Sequence, residues 1–211
     1  MTKAGWREDN RRNVRVFTRL VKKFGDDSRA LDWGSAESQQ LRFSVLAQVG
    51  DLEGARVLDV GCGLGHFVDW LQSKKIQTRY TGIDITPRMI ESSRHRFPAL
   101  DFRVMNLLEE KSSEKYDYVV SSGIFALRQK SAFEYLQAMV KRMFESCTRG
   151  VAFNSLSSWA EHRDPGEFHA DPVKVLAFCR KLTPKVVLRH DYHPRDFTMY
   201  LYRSSERVHE S

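Results

Sequence analysis

Residues 57–65 (VLDVGCGLG) have the composition of a loop that holds a ligand with its backbone. Gly61, Gly63 and Gly65 carry no side chain, so a ligand can approach the chain closely there. The segment follows an apolar stretch with strand character and precedes a helix, whose N-terminus can face a negative group. Ligands of open parallel sheets bind at such strand ends. The alternative is a glycine turn without a ligand, because such turns are common after strands.

The residues around the glycines indicate the kind of ligand. A dinucleotide fingerprint has a third glycine where this chain has His66. Asp59 precedes the glycines, and its carboxylate would repel a pyrophosphate but attract an ammonium group. Asp84 lies 19 residues after Gly65, where it either caps a strand end or accepts hydrogen bonds from both hydroxyls of a ribose. A nucleoside joined to an amino acid, without phosphate, describes S-adenosylmethionine.

Apolar periodicity predicts strands and helices in alternation around this loop. Strands are predicted at residues 56–60, 80–85, 102–105, 116–121, 150–156, 185–189 and 197–202. Helices are predicted at residues 11–24, 37–49, 66–73, 88–97, 131–147 and 172–182. The last two strands are too close for a helical crossover, so they should pair antiparallel. The pattern predicts an α/β, Rossmann-like, doubly wound fold, with a mostly parallel seven-stranded sheet and a C-terminal antiparallel hairpin.

Three motifs, in order and at appropriate separations, resemble those of the class I S-adenosylmethionine-dependent methyltransferases. They are VLDVGCGLG at 57–65, YTGIDITPRMI at 80–90 and YDYVV at 116–120. The resemblance implies that residues 51–211 form one S-adenosylmethionine-binding methyltransferase domain. It also implies that residues 1–50 form an N-terminal helical extension or lid.

The resemblance implies the cofactor-binding residues by position. These are Asp59, Gly61, Cys62, Gly63, Asp84, Ile85, Met89, Asn106, Leu107, Ser122 and Gly123. The glycine loop would border the methionine part, Asp84 the ribose, and Ile85 and Met89 the adenine. The family often has Asp where this chain has Asn106, whose neutral amide makes a weaker hydrogen bond to the adenine amino group.

The lid adds three candidates, two on its second helix and one on the segment before it. In similar methyltransferases such a helix closes over the cofactor, so Arg42 or Gln39 could meet the methionine carboxylate and Trp33 could cover one side. The alternative is an amphipathic helix capped by Ser35 or Ser38, with Trp33 buried. The side chains expected to face inward are Val14, Val16, Phe17, Leu20, Val21 and Phe24 in the first helix, and Leu41, Phe43, Leu46 and Val49 in the second.

Catalytic residues are predicted from loop position alone. Methyl transfer is an in-line displacement that needs alignment and, for some acceptors, a general base. Arg128 follows the fourth strand, and His162 and His169 follow the fifth, at the cofactor edge of the sheet. No cluster has the spacing of metal ligands, so no metal site is expected.

Composition and charge bear on three further classes of protein: membrane-spanning, disulfide-bonded and nucleic-acid-binding. No apolar run approaches the roughly 20 residues needed to cross a bilayer, and the three cysteines are widely separated, which predicts reduced thiols and a cytoplasmic location. The formal charge of +7 could attract nucleic acid or an anionic small molecule. No run alternates aromatic and basic residues like a base-stacking surface, so nucleic acid is not favoured.

The leading hypothesis is therefore N- or O-methylation of a small polar or anionic metabolite. Two alternatives stay open: an RNA or protein methyltransferase, and a non-catalytic subunit that binds S-adenosylmethionine. The sequence does not indicate an oligomeric state.

Overall fold

The computed structural model describes residues 3–25, 35–110, 112–127 and 129–203. The helices are α1 (Lys3–Phe24), α2 (Ala36–Leu46), α3 (His66–Ser73), α4 (Pro87–Arg96), α5 (Ala132–Ser146) and α6 (Pro172–Leu182). The strands are β1 (Arg56–Val60), β2 (Arg79–Asp84), β3 (Asp101–Val104), β4 (Tyr116–Ser121), β5 (Cys147–Leu156), β6 (Val186–Arg189) and β7 (Asp196–Tyr202). A single 3-10 turn, Ala47–Val49, continues α2.

The seven strands form one sheet in the order β3-β2-β1-β4-β5-β7-β6. Strands β1 to β5 are parallel to their neighbours, and β7 pairs antiparallel with both β5 and β6. The predicted fold class, including the C-terminal hairpin, is confirmed. The chain runs outward from β1 on one side and from β4 on the other, so the order reverses between these two strands. Ligands of open sheets bind at this kind of reversal.

The sheet has a hydrophobic core on each face. Adjacent residues of β4 point to opposite faces, with Tyr118 in the core beneath α2, α3 and α4 and Val119 in the core beneath α5 and α6. This alternation follows from the two-residue period of a strand. Because both faces are covered, the central strands are apolar almost throughout, which made them recognisable in the sequence.

The lid helices differ from the prediction in three respects. Helix α1 begins at Lys3 instead of residue 11, because Trp6 packs edge-on against Tyr135 of α5, with ring centroids 6.2 Å apart. Val16 of α1 and Leu41 of α2 were expected to face inward, but they are 38% and 37% exposed. In α2 the buried positions include Gln39 and Arg42, which form polar contacts in place of apolar ones.

Candidate active site

A deep cleft lies at the carboxyl ends of β1, β2 and β4 and encloses about 1020 Å³ of space, including its mouth. Helix α1 covers it from above, and α5 and the segment after β4 form its far wall. Eleven of the predicted cofactor-binding residues line this cleft. They are Asp59, Gly61, Cys62, Gly63, Asp84, Ile85, Met89, Asn106, Leu107, Ser122 and Gly123.

The glycine loop needs glycine for two separate reasons. Gly61 has φ 76° and Gly65 has φ 77°, which is the left-handed region that side chains disfavour. A Cβ on Gly61 would also lie 2.1 Å from Cγ2 of Ile124, and one on Gly65 would lie 3.0 Å from the Phe97 ring. The loop is held to β2 by the Gly61 amide, which donates to the Ile83 carbonyl at 2.8 Å. The backbone is therefore fixed and bare where it faces the cleft.

Asp84 sits at the end of β2 and is oriented by two backbone amides. Its Oδ2 accepts from Gly63 N at 3.1 Å, and its Oδ1 accepts from Thr86 N at 2.7 Å. Burial raises the pKa of Asp84, while these hydrogen bonds oppose the rise. Each carboxylate oxygen has a further lone pair. Asp84 is thus a fixed acceptor that lines the cleft beside the glycine loop.

Asp59 is a buried carboxylate on β1, 4% exposed, with one hydrogen-bond partner. The Tyr80 hydroxyl donates to its Oδ2 at 2.7 Å. Burial raises the pKa of Asp59 from 3.8 to about 7; the Tyr80 hydrogen bond lowers it, and the neighbouring Asp84 raises it. Two carboxylates in one apolar cleft make the site electronegative, which suits a cationic ligand.

Asn154 of β5 positions the wall that follows β4. Its Nδ2 donates to Ser122 Oγ at 2.8 Å and its Oδ1 accepts from Gly123 N at 3.2 Å. Ser121 is fully buried and donates to the Val60 carbonyl at 2.7 Å. Ser122 and Gly123 therefore face the cleft, whereas Ser121 joins β4 to β1.

Asn106 lies at the far end of the cleft, after β3. Its Oδ1 already accepts from Leu108 N at 3.0 Å, so one lone pair stays available for a ligand amino group. Ile85, Met89 and Leu107 supply an apolar slot beside it. An aromatic base fits that slot better than a charged group does.

The second lid helix contributes Gln39 to the cleft and leaves Arg42 outside it. Gln39 Nε2 lies 3.3 Å from His66 Nδ1, and both side chains line the cleft. Ser35 caps α2 by accepting from Ser38 N at 3.1 Å. Ser35 was one of the two residues predicted to cap this helix. Trp33 lies outside the described residues.

The prediction for Arg42 is corrected by its ion pair. Arg42 is buried, and its Nη2 lies 2.6 Å from Asp196 Oδ2 at the start of β7. Its Nη1 also donates to Ser38 Oγ at 2.6 Å. The guanidinium thus joins the lid to the C-terminal hairpin, and Arg42 is not among the residues that line the cleft. Buried ion pairs cannot open at low cost, because each charge would be left desolvated.

Neither of the two predicted catalytic histidines lines the cleft. His162 is exposed on the loop after β5. His169 is largely buried, with Nε2 3.3 Å from Glu167 Oε2, and burial lowers its pKa. The loop turns these side chains away from the cofactor edge, because it is tied to the C-terminal hairpin by Arg195, which pairs with Glu167 at 2.5 Å. Arg128 lies outside the described residues.

Several residues of the cleft were not predicted. Asn13 and Phe17 come from α1, and Tyr135 and Met139 come from α5. His66 was not predicted to bind the cofactor, although its place at the start of α3 puts it beside the loop. The α1 and α5 residues carry no local signal, because helical periodicity marks a buried face without saying what that face covers. Within the described residues no group of histidine, cysteine, aspartate or glutamate could hold a metal ion.

The comparisons with known proteins agree with this geometry. A family model described as "Methyltransferase domain" matches residues 58–153. The chain is 31% identical over 157 residues to "Putative methyltransferase Rv1506c" of Mycobacterium tuberculosis, which covers 70% of this chain and 92% of that protein. The chain belongs to the class I S-adenosylmethionine-dependent methyltransferase family. It is therefore a methyltransferase.

Two further proteins are similar to this methyltransferase, one in sequence and one in fold. Trans-aconitate 2-methyltransferase of Afipia carboxidovorans is 31% identical over 103 residues, which is 44% of this chain and 40% of that one. The N-methyltransferase NodS of Bradyrhizobium japonicum WM9, solved in complex with S-adenosyl-l-homocysteine, has the same fold, with a TM-score of 0.64 and 16% identity. That match covers 90% of this chain and 99% of NodS. No helix among the described residues could cross a membrane.

Proposed function

We propose that this methyltransferase transfers the methyl group of S-adenosylmethionine to a nitrogen or oxygen atom of a small polar or anionic metabolite. The observation that carries the proposal is the pair of carboxylates, Asp59 and Asp84, at either side of a bare glycine loop in one enclosed cleft. A dinucleotide would place its pyrophosphate against these charges, whereas S-adenosylmethionine brings an ammonium and a sulfonium.

Each part of the cleft has a counterpart in that ligand. Asp84 would accept from the ribose hydroxyls with the lone pairs that Gly63 and Thr86 leave open. The glycine loop would hold the methionine part, with Gln39 and His66 as polar neighbours. The apolar slot of Ile85, Met89 and Leu107 would take the adenine, and Asn106 its amino group. When bound, S-adenosylmethionine supplies an electrophilic methyl group on a positively charged sulfur.

The chain's own contribution to transfer is alignment and exclusion of water. Phe17 of α1 closes the top of the cleft, and Tyr135 and Met139 of α5 close its far side. The charge on the sulfonium disperses as the methyl group moves, so a dry and partly apolar site favours the transition state. Neither His162 nor His169 lines the cleft, so neither is assigned the role of general base.

A small acceptor is supported by the lid and by one relative. Helix α1 covers the cleft, and its residues line a further opening on each side of the helix. The relative that acts on trans-aconitate makes that tricarboxylate a candidate, and the net charge of +7 suits an anion. The lid of residues 1–50 and the domain of residues 51–211 stay a proposed division, and the cytoplasmic location stays a prediction.

Transfer of a labelled methyl group tests the proposal. S-adenosylmethionine labelled in its methyl group would be incubated with the protein and a metabolite extract, and in parallel with trans-aconitate, with RNA and with the extract's protein fraction. We expect label in a small molecule with the wild-type chain and none with Asp84→Ala. Label in RNA or protein would refute the proposed acceptor class. Binding of S-adenosylmethionine without transfer to any fraction would indicate a non-catalytic subunit.

A further inference from the structure

The inner face of α1 is apolar at its ends and polar in the middle. Trp6 packs on Tyr135 at one end, and Phe17 and Val21 pack against Leu64 and Met89 at the other. Between these anchors Asn13 faces the cleft. An apolar residue would continue the stripe at this position, so Asn13 interrupts the hydrophobic contact, as the buried Asn10 does one turn earlier.

Asn13 is buried without being satisfied. The residue is 9% exposed, and its Oδ1 has no hydrogen-bond partner among the described residues. A buried carbonyl oxygen without a donor is unfavourable, and native structures contain few of them. A ligand with an N–H or O–H group can supply the missing donor.

A second unsatisfied amide lies beside the first. Gln129, in the segment before α5, is 8% exposed, and its Oε1 likewise has no partner in the part of the chain that the structure describes. Asn13 and Gln129 together line a side branch between α1 and a wall that includes Leu127, Gln129 and Lys130. Asn13 and Leu127 line this branch and the main cleft alike, so the branch adjoins the cofactor cleft at these two residues.

We infer that Asn13 and Gln129 form an acceptor-recognition pair, which binds the methyl acceptor through N–H or O–H groups of that molecule. The inference rests on the proposed function and narrows its substrate class to acceptors that carry an N–H or O–H donor, which excludes trans-aconitate. Two inward carboxamide oxygens accept hydrogen bonds, so they suit an amine, an amide or a hydroxyl compound. They repel a bare carboxylate at the same point. Arg12 and Lys130 lie at the outer end of the branch, where an anionic part of the acceptor would be held.

Matched pairs of small aromatic probes test the inference on the protein loaded with S-adenosylhomocysteine. Phenol and aniline carry the required donors, whereas anisole and N,N-dimethylaniline have the same rings without them. Saturation-transfer NMR would compare the four probes, with succinate as a carboxylate probe, for the wild type and for Asn13→Leu and Gln129→Leu. Gln72→Leu, on the exposed face of α3, is the matched control.

We expect phenol and aniline to bind about tenfold more tightly than their methylated counterparts. This difference in affinity corresponds to the net free energy of one hydrogen bond. Asn13→Leu and Gln129→Leu should abolish that preference, and Gln72→Leu should retain it. Equal binding of the donor and donor-free probes, binding of none, a preference for succinate, or a preference unchanged by both variants would each overturn the inference.

Thermal unfolding supplies a second, independent measurement. If Oδ1 of Asn13 is unsatisfied without a ligand, Asn13→Leu should raise the Tm of the free protein by about 2–4 °C, because leucine has a similar shape and no buried acceptor. A marked fall in Tm would instead show a structural role. Titration of S-adenosylmethionine distinguishes the two proposals: no binding by the wild type refutes the proposed function, whereas binding without donor preference refutes the recognition pair alone.

Discussion

Replacing Asp59 by asparagine should stabilise the free protein, and the gain should depend on pH. Asp59 is buried on β1, and burial raises its pKa to about 7 from an ordinary value of 3.8. The folded protein therefore holds a proton on this side chain between about pH 4 and pH 7, where the unfolded chain has already lost it. By linkage, the stability that Asp59 contributes is complete below about pH 4 and is lost as the pH rises through about 7.

The magnitude follows from the same pKa values. Each pKa unit corresponds to about 1.4 kcal/mol, so the rise from 3.8 to about 7 corresponds to a loss of about 4 kcal/mol by pH 8. The asparagine side chain has the same shape and can accept from the Tyr80 hydroxyl, but it does not ionise. Asp59→Asn should match the wild type near pH 4 and exceed its stability by up to about 4 kcal/mol at pH 8.

Urea unfolding measured from pH 4 to pH 8.5 checks this prediction. Glu161→Gln, which neutralises an exposed carboxylate on the loop after β5, is the control and should follow the wild type throughout. Tyr80→Phe removes the donor that lowers the Asp59 pKa, so its stability should start to fall near pH 4 like that of the wild type but go on falling to a higher pH. A difference between Asp59→Asn and the wild type that is constant with pH, or a less stable variant at pH 8, would refute the reasoning.

Three further predictions concern the cleft and the lid. Affinity for S-adenosylmethionine should fall below about pH 7, by up to tenfold per pH unit, because the ligand's ammonium favours ionised Asp59. In calorimetric titration, Asp59→Asn should remove the fall near pH 7. Gly61→Ala should destabilise the fold by at least about 1–2 kcal/mol, because φ of Gly61 is 76° and an added Cβ would meet Ile124. In a thermal melt, the double variant Gly61→Ala with Ile124→Ala should recover the stability that the clash with Ile124 costs. Arg42→Met should cost up to about 3–5 kcal/mol in urea unfolding, because the buried Asp196 loses its arginine partner although His193 stays 2.7 Å away. Affinity for S-adenosylmethionine should change less than threefold where the protein is folded. A large loss of affinity with unchanged stability would restore Arg42 to the cofactor site.

The elements that position the cofactor site were predictable because their signals are local. Strand β1 is mostly apolar, and in the loop that follows it glycines alternate with Cys62 and Leu64. The strands β1 and β4 and the helices α3 and α6 have the predicted bounds. The motifs predicted eleven cofactor-binding residues between positions 59 and 123, and all eleven line the cleft. They do so because each lies on or beside a parallel strand whose carboxyl end faces the same edge of the sheet.

The lid and the loop after β5 were less predictable, because their placement depends on distant partners. Arg42 was expected at the ligand, but Asp196, 154 positions away, holds it at the hairpin. His169 was expected at the cofactor edge, but its neighbour Glu167 pairs with Arg195. No local pattern reports such pairs. Asn13 was likewise hidden, since an asparagine within a charged helix resembles a solvent-exposed residue until the helix is seen to cover a cleft.

Calorimetric titration of S-adenosylmethionine into the wild-type protein, Asp84→Asn and Asp84→Ala tests the central claim most directly. The structure predicts one site per chain in the wild type. Because hydrogen bonds to a charged acceptor contribute about 1.5–3 kcal/mol, Asp84→Ala should bind about 10- to 150-fold more weakly, with Asp84→Asn in between. Glu161→Gln should bind like the wild type. Absence of binding by the wild-type protein, or equal affinity in all four proteins, would contradict the account.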